Sequence, residues 1–143
     1  MGWQALLIVA GGLLTAPPGE ERRADRETIQ GTWLLVSSET EGQPVPSESL
    51  KTRPVRMVFE GDRVAAKMGE MSASLGTFTL DETHDPRWYD RTYPDGSPRR
   101  GIYRLEADRL TICIAALGKD RPAAFLTRPG DGQSLLVYQR EKP

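Results

Sequence analysis

Residues 101–112 read Gly101-Ile102-Tyr103-Arg104-Leu105-Glu106-Ala107-Asp108-Arg109-Leu110-Thr111-Ile112. The first five follow the pattern Gly, any residue, aromatic, any residue, Leu, which also occurs as Gly31-Thr32-Trp33-Leu34-Leu35 and Gly76-Thr77-Phe78-Thr79-Leu80. Alternate residues of a strand share one face, so each copy places a glycine, an aromatic ring and a leucine on the same side. Large rings fill a core, and a strand glycine permits the bend that a closing sheet needs. The pattern therefore predicts a β-barrel or a strongly curved sheet.

The second half of this stretch predicts a hairpin, and an earlier segment, Phe59-Glu60-Gly61-Asp62-Arg63-Val64, has the same design. With a two-residue turn, Glu60 faces Arg63 and Glu106 faces Arg109, which are favourable cross-strand pairs. Gly-Asp is a good turn centre because glycine accepts a positive φ. Ala-Asp is a poorer centre, which leaves a longer turn or another turn type open for the second hairpin.

The two hairpins fix a register in which one face of the sheet is apolar. That face carries Val55, Met57, Phe59, Val64, Ala66 and Met68 in the first hairpin, and Gly101, Tyr103, Leu105, Leu110, Ile112 and Ile114 in the second. The opposite face is mixed and carries Arg56, Ala65, Lys67, Arg104, Thr111 and Cys113. Such alternation is typical of antiparallel strands with one side in water.

Further strands are predicted at residues 30–38, 72–80, 88–93, 125–127 and 134–140. With the hairpins they make roughly eight strands in one all-β domain over residues 29–141, a single antiparallel barrel, with a sandwich as the alternative. One short helix is predicted near residues 47–52, capped by Ser47 and stopped by Pro54.

The first 16 residues differ from the rest, because residues 5–14 are apolar and Pro17-Pro18 follows. We interpret residues 1–16 as a signal peptide or anchor and residues 17–28 as a charged linker. No Lys or Arg precedes the apolar run, so cleavage and retention both stay open. The run is too short to span a bilayer comfortably, so no integral membrane domain is predicted. We expect an exported protein, periplasmic or extracellular.

Composition excludes several functional classes for this chain of 143 residues. The formal net charge is −1 with interspersed signs, so no nucleic-acid partner is predicted. A single cysteine, Cys113, excludes an internal disulfide, and its two isoleucine neighbours indicate a buried, inert side chain rather than a reactive thiol.

Catalytic motifs are missing from the sequence: it contains no Gly-x-Ser-x-Gly elbow, phosphate loop, Rossmann fingerprint or zinc-binding Cys pair. The loop Asp81-Glu82-Thr83-His84-Asp85 could hold a cation, but its spacing matches no calcium loop, and a solvated turn between two strands is the favoured interpretation. We therefore predict no enzyme, no cofactor and no metal. A hydrolase with a cryptic site among Asp81, Asp85 and Asp90 remains an alternative.

An apolar stripe on the inner face has two interpretations. In one it is a packed core; in the other it lines a cup for a small apolar ligand. The candidate ligand-binding residues are Met57, Phe59, Phe78, Tyr103, Leu105 and Ile112. A packed core would make the protein a filled-core structural or interaction domain. A ligand cup would make it a binding module for a small apolar ligand or a protein partner.

Gly31-Thr32-Trp33 resembles the Gly-x-Trp signature that begins the first strand of lipocalins. In that family the Trp closes one end of the barrel and an Arg near the end of the last strand packs over it. The resemblance implies this barrel-closing role for Trp33, with Arg140 stacked on its ring.

A longer resemblance covers residues 29–141. It is carried by residues 30–33, 42–46, 59–63, 76–81, 101–105, 110–113, 121–122, 125, 135–137 and 140. Over these the chain is similar to an uncharacterised lipocalin-like bacterial domain family abundant in planctomycetes. The resemblance implies a calycin-like antiparallel barrel, often exported, and brings no catalytic residues. Tyr89 departs from the aliphatic residue usual there, and its ring could fill the mouth or the interior of the barrel and so reduce any cavity.

Overall fold

Residues 24–142 are the part of the chain that the structure, a computed structural model, describes. The predicted export segment and most of the charged linker lie outside these residues. The two helices are α1 (Asp25–Thr28) and α2 (Ser47–Thr52). The strands are β1 (Gly31–Thr40), β2 (Gln43–Pro44), β3 (Arg56–Glu60), β4 (Arg63–Met68), β5 (Met71–Asp81), β6 (Arg87–Thr92), β7 (Pro98–Glu106), β8 (Arg109–Ile114) and β9 (Ser134–Arg140). Neither helix is long and apolar enough to cross a membrane.

The sheet closes on itself. Each strand from β3 to β9 pairs antiparallel with the next, and β1 pairs with both β3 and β9. The result is an eight-stranded up-and-down barrel, and the short β2 adds only to the end of β1. The predicted all-β antiparallel barrel is confirmed. We call the end where β1 begins the lower end and the opposite end the upper end.

Both hairpins have the predicted register, with Glu60 opposite Arg63 and Glu106 opposite Arg109. Gly61 and Ala107 each take a positive φ, of 65° and 50°. The Ala-Asp turn therefore has the same length as the Gly-Asp turn, and the longer turn considered for it is wrong. Ala107 accepts a left-handed conformation that costs about 1–2 kcal/mol, because the flanking pairs hold the turn closed.

Two glycines of the repeated pattern are required for different reasons. Gly76 has a φ of 93° and lies beside a register shift between β4 and β5, so it makes the predicted bend. A Cβ on Gly76 would lie 1.8 Å from the Thr92 carbonyl oxygen. Gly101 is not left-handed; a Cβ there would lie 2.7 Å from the Cys113 carbonyl oxygen, so close packing of β7 and β8 requires it.

The inner face forms one continuous core. Trp33, Phe78 and Tyr103, the three rings of the repeated pattern, are 0–3% exposed. The Phe59 and Phe78 rings meet edge-to-face with centroids 5.0 Å apart, and Phe78 stacks on Tyr89 at 6.3 Å. Edge-to-face and offset ring pairs are favoured because of their quadrupoles. Tyr89 is fully buried, so its ring does occupy the interior.

Residues 115–133 form a strap over the outer face of β7 and β8. The strap buries Ile102 and Cys113, which point away from the barrel interior. The Cys113 thiol lies 3.6 Å from the Leu126 carbonyl oxygen, and burial raises its pKa. Cys113 is buried, as its isoleucine neighbours indicated, and Thr111 is buried too, although the prediction placed it on a face with one side in water. Residues 125–127 belong to the strap rather than to a strand.

Helix α2 has the predicted bounds but not the predicted cap. Ser47 is its first helical residue, and Pro46 occupies the cap position without a side-chain hydrogen bond. Proline fixes φ near the value a helix start needs, so the chain enters the helix without a capping hydroxyl. The helix ends at Thr52, before Pro54.

Candidate functional site

The lower end of the barrel is closed by Trp33 and Arg140. Trp33 is fully buried and its Nε1–H donates to the Ile29 carbonyl oxygen at 2.8 Å. The Arg140 guanidinium lies 4.3 Å from the centre of the Trp33 ring. It also donates to the carbonyl oxygens of Thr28 at 2.5 Å and Gln30 at 3.1 Å. The structure thus brings together the two residues that the lipocalin resemblance paired.

Arg140→Ala is expected to lower the free energy of unfolding by about 1–2 kcal/mol, since it removes one cation–π contact and two hydrogen bonds. Urea titration followed by Trp fluorescence measures this. An unchanged midpoint would show that Arg140 does not hold the lower end.

Helix α1 adds a second seal at the lower end. The Asp25 carboxylate accepts hydrogen bonds from Arg87 at 2.5 Å and from the Tyr103 hydroxyl at 2.6 Å. The Asp25 backbone N–H donates to Glu82 at 2.8 Å. Burial, and then the bond to Asp25, raise the pKa of Tyr103. These contacts leave the upper end as the side from which a molecule would enter.

The six predicted ligand-binding residues lie in one group. Five of them, Met57, Phe59, Phe78, Tyr103 and Ile112, are at most 3% exposed, and Leu105 is partly buried against them. The five belong to the same buried cluster as Trp33, of which they are five of the thirteen members. Their role in lining a ligand stays a prediction.

Apolar side chains near the upper end are less buried. Leu50, Val55, Leu75 and Leu136 pack against the core but remain partly exposed. They come from α2, the start of β3, β5 and β9, so they surround the opening. Sequence reasoning did not separate these side chains from the deeper core, because alternation along a strand does not tell which levels of a barrel are covered.

A cleft of about 350 Å³ lies between α2 and the middle of β1, and its lining includes Leu34 and Arg56, which pair on the outer face of the sheet. It forms because β1 pairs with β3 only over Gly31–Leu34, and α2 crosses the gap beyond. The lining is mostly aliphatic, with two cations at its edge: Leu34, Leu35, Val36, Ser47, Leu50, Lys51, Pro54 and Arg56. At the edge of the cleft, Arg56 Nε donates a hydrogen bond to the Glu141 carboxylate at 2.7 Å.

A larger cleft, of about 530 Å³, runs along β7 near the lower end. Its walls carry the charged residues Asp85, Arg87, Arg104 and Glu106 beside Phe125 of the strap. The Arg104 guanidinium lies 4.4 Å from the centre of the Phe125 ring. The lining is mixed, because Pro86, Ala123, Ala124 and two of the predicted ligand-binding residues, Tyr103 and Leu105, also line this groove. Its four charged side chains make it less suited to an apolar molecule than the aliphatic cleft.

The acidic loop before β6 is held by its own hydrogen bonds. Asp81 accepts from the backbone N–H of Thr83 at 3.0 Å and from its hydroxyl at 2.6 Å, and chiefly the hydroxyl holds the pKa of Asp81 below its usual range. Asp90 accepts two bonds from Arg121, at 2.6 and 3.2 Å. Among residues 24–142, no group of three or more His, Cys, Asp or Glu side chains is placed to hold a metal ion.

Two arginines inside the barrel were missed by the sequence analysis. Arg91 of β6 and Arg99 of β7 are directly opposite each other, and Arg91 is 4% exposed. The sequence does contain a pattern that indicates this position, because Arg91 is two residues from Tyr89 in a strand and therefore shares its inward face. It was overlooked because an arginine in a strand is usually assigned to the wet side.

Comparison with known proteins gives a limited result. No family model and no curated protein matches the chain. The chain is similar to a solved "REP1-NXSQ fatty acid transporter" at 12% identity and a TM-score of 0.37, over 82% of this chain and 98% of that one. The barrel assignment rests on the strand pairing, and membership of the lipocalin-like family stays a prediction.

Proposed function

We propose that this protein is a non-enzymatic, exported, lipocalin-like module that binds a small apolar ligand beside α2, towards the upper end of its barrel. The observation that carries the proposal is the aliphatic cleft of about 350 Å³ between α2 and β1. Ligand sites are typically concave, mostly apolar and about 300–1,000 Å³ in volume. Export is supported by the sequence of residues 1–16 alone.

The hydrolase alternative finds less support in the described residues. Asp81 and Asp90 are engaged by Thr83 and Arg121. A general acid needs a raised pKa, whereas the pKa of Asp81 is lowered. The acidic loop therefore has the features of a hydrogen-bonded surface turn.

Docking of a protein partner is a second candidate. Met68 and Met71 flank the β4–β5 turn at the upper end and are 48% and 72% exposed. Exposed methionines are adaptable contacts at binding surfaces. This function suits a barrel whose core is filled and carries no ligand.

The ligand proposal is tested with Nile red, a neutral apolar dye, and the full chain. We expect saturable binding that Leu50→Gln weakens about tenfold, because it places an amide in an aliphatic cleft. Leu117→Gln is the matched control, since Leu117 is 53% exposed and lies in the strap. An absence of saturable binding, or equal affinities for both variants, would overturn the cleft as the site.

A further inference from the structure

Arg91 is a buried cation without an anionic partner. Its side chain lies on the inner face with Tyr89 and opposite Phe78, both at most 3% exposed. Among residues 24–142, no carboxylate lies within 4.0 Å of its guanidinium, although eight Lys–carboxylate or Arg–carboxylate ion pairs are formed there. Buried charges in proteins are ordinarily paired, so this arrangement is energetically costly.

Arg99 makes the arrangement less favourable still. It stands directly opposite Arg91 on the neighbouring strand, and like charges in that position repel each other. Arg99 Nε donates to the Ala115 carbonyl oxygen at 2.7 Å, which turns this guanidinium towards the upper end. Two positive charges are therefore held together just inside the opening of the barrel.

Only neutral groups contact the pair. Arg91 donates to the hydroxyls of Tyr89 at 3.2 Å and Tyr93 at 3.4 Å, and Arg99 donates to Tyr93 at 3.4 Å. These bonds are long compared with the usual 2.9–3.0 Å. A guanidinium has five N–H donors, so most of those on Arg91 have no acceptor among the described residues.

The surrounding phenols respond to the two charges. Burial would raise the pKa of Tyr93, but the bond from Arg99 and the charge of Arg91 outweigh burial and lower it. Burial would lower the pKa of Arg91, but Tyr89 and Tyr93 outweigh it and the net pKa is raised. The cluster thus stays cationic and favours a negative charge placed within it.

We propose that Arg91 and Arg99 bind the carboxylate of an amphipathic ligand whose apolar part lies among the half-buried side chains of the upper end. A planar guanidinium matches a carboxylate with two parallel hydrogen bonds, and the Tyr93 hydroxyl supplies a third donor. The aliphatic surroundings, Val55, Leu75 and Leu136, suit a hydrocarbon tail. This inference rests on the proposed binding of a small ligand and names the class of that ligand, but it places the head group inside the barrel, whereas the aliphatic cleft between α2 and β1 is lined by other residues.

Calorimetric titration of the full chain with octanoate and octan-1-ol, which share a tail and differ in the head group, tests the inference. We expect octanoate to bind at least tenfold more tightly than octanol, and Arg91→Met to abolish that difference. Arg104→Met is the matched control, because Arg104 is on the outer face of β7 over Phe125. Inorganic phosphate is expected to bind at least tenfold more weakly than octanoate, because it has no tail.

The outcomes separate the two proposals. Equal affinity for octanoate and octanol, or full octanoate affinity in Arg91→Met, overturns the carboxylate site while ligand binding stands. Phosphate binding as tight as octanoate overturns the amphipathic ligand. No binding of either C8 compound, together with no binding of Nile red, overturns both.

A second readout excludes a merely structural role for Arg91. Removing an uncompensated buried charge is expected to leave the melting temperature of the ligand-free protein equal to or above that of the wild type. A structural arginine would instead lower it when replaced. A clear fall in the melting temperature of Arg91→Met, with octanoate affinity retained in Arg99→Met, would contradict the proposal.

Discussion

Trp33→Ala is expected to lower the free energy of unfolding by about 3–5 kcal/mol, the usual cost of deleting a large buried aromatic side chain. Trp33 is fully buried, and its loss also frees the Ile29 carbonyl oxygen and the face under Arg140. Urea unfolding followed by far-UV circular dichroism measures the change, since the main fluorophore is altered.

Trp88→Ala is the control for this result. Trp88 is on the outer face of β6, where His84 stacks on it and Arg121 lies 4.0 Å from its ring centre. We expect about 1 kcal/mol for this half-exposed ring. Equal effects of the two substitutions would contradict the barrel-closing role of Trp33.

Gly76→Ala is expected to cost roughly 2–5 kcal/mol. The left-handed backbone of a non-glycine residue contributes about 1–2 kcal/mol, and the forced overlap about 1–3 kcal/mol more. The overlap is with backbone atoms, since the new Cβ would lie 1.8 Å from the Thr92 carbonyl oxygen, so β5 and β6 would have to separate. Thermal and urea unfolding both report the loss.

Gly69→Ala separates the two contributions. Gly69 also has a positive φ, of 61°, but nothing lies within 4 Å of a Cβ placed on it. It should therefore cost only the backbone share, about 1–2 kcal/mol. Equal losses at both positions would show that the close approach of β5 and β6 is unimportant.

The barrel could be predicted because its determinants are local. Alternation along strands put the rings of Trp33, Phe78 and Tyr103 on one face, and short turns fixed the register of both hairpins. The end of α2 followed from Pro54, whereas its start was predicted from Ser47 as a cap that the structure does not show. Each of these features depends on residues only a few positions apart, so a sequence pattern contains it.

The strap could not be predicted for the opposite reason. It buries Cys113 through contacts with Leu126, and residues 115–133 have no strand or helix periodicity that would reveal what they cover. The cleft between α2 and β1 likewise depends on where β1 leaves β3, which is a property of the closed barrel. Such features follow from long-range packing rather than from local pattern.

The inner arginines show what a stricter use of periodicity would have found. Alternation along β6 places Arg91 on the same face as Tyr89, and the strand pairing brings Arg99 opposite Arg91. The sequence analysis assumed an apolar interior and therefore did not consider an inward-facing arginine. Polar residues that alternation assigns to a core are thus the positions to inspect first for a site.

Native mass spectrometry of the full chain, purified from its own host without delipidation, tests the central claim of a small-ligand carrier most directly. The account predicts a protein that carries an organic molecule, which denaturation releases and negative-ion spectra identify as a carboxylate with an apolar body. A bare chain with no released organic ion would contradict the account and would favour a filled-core module that binds a protein partner.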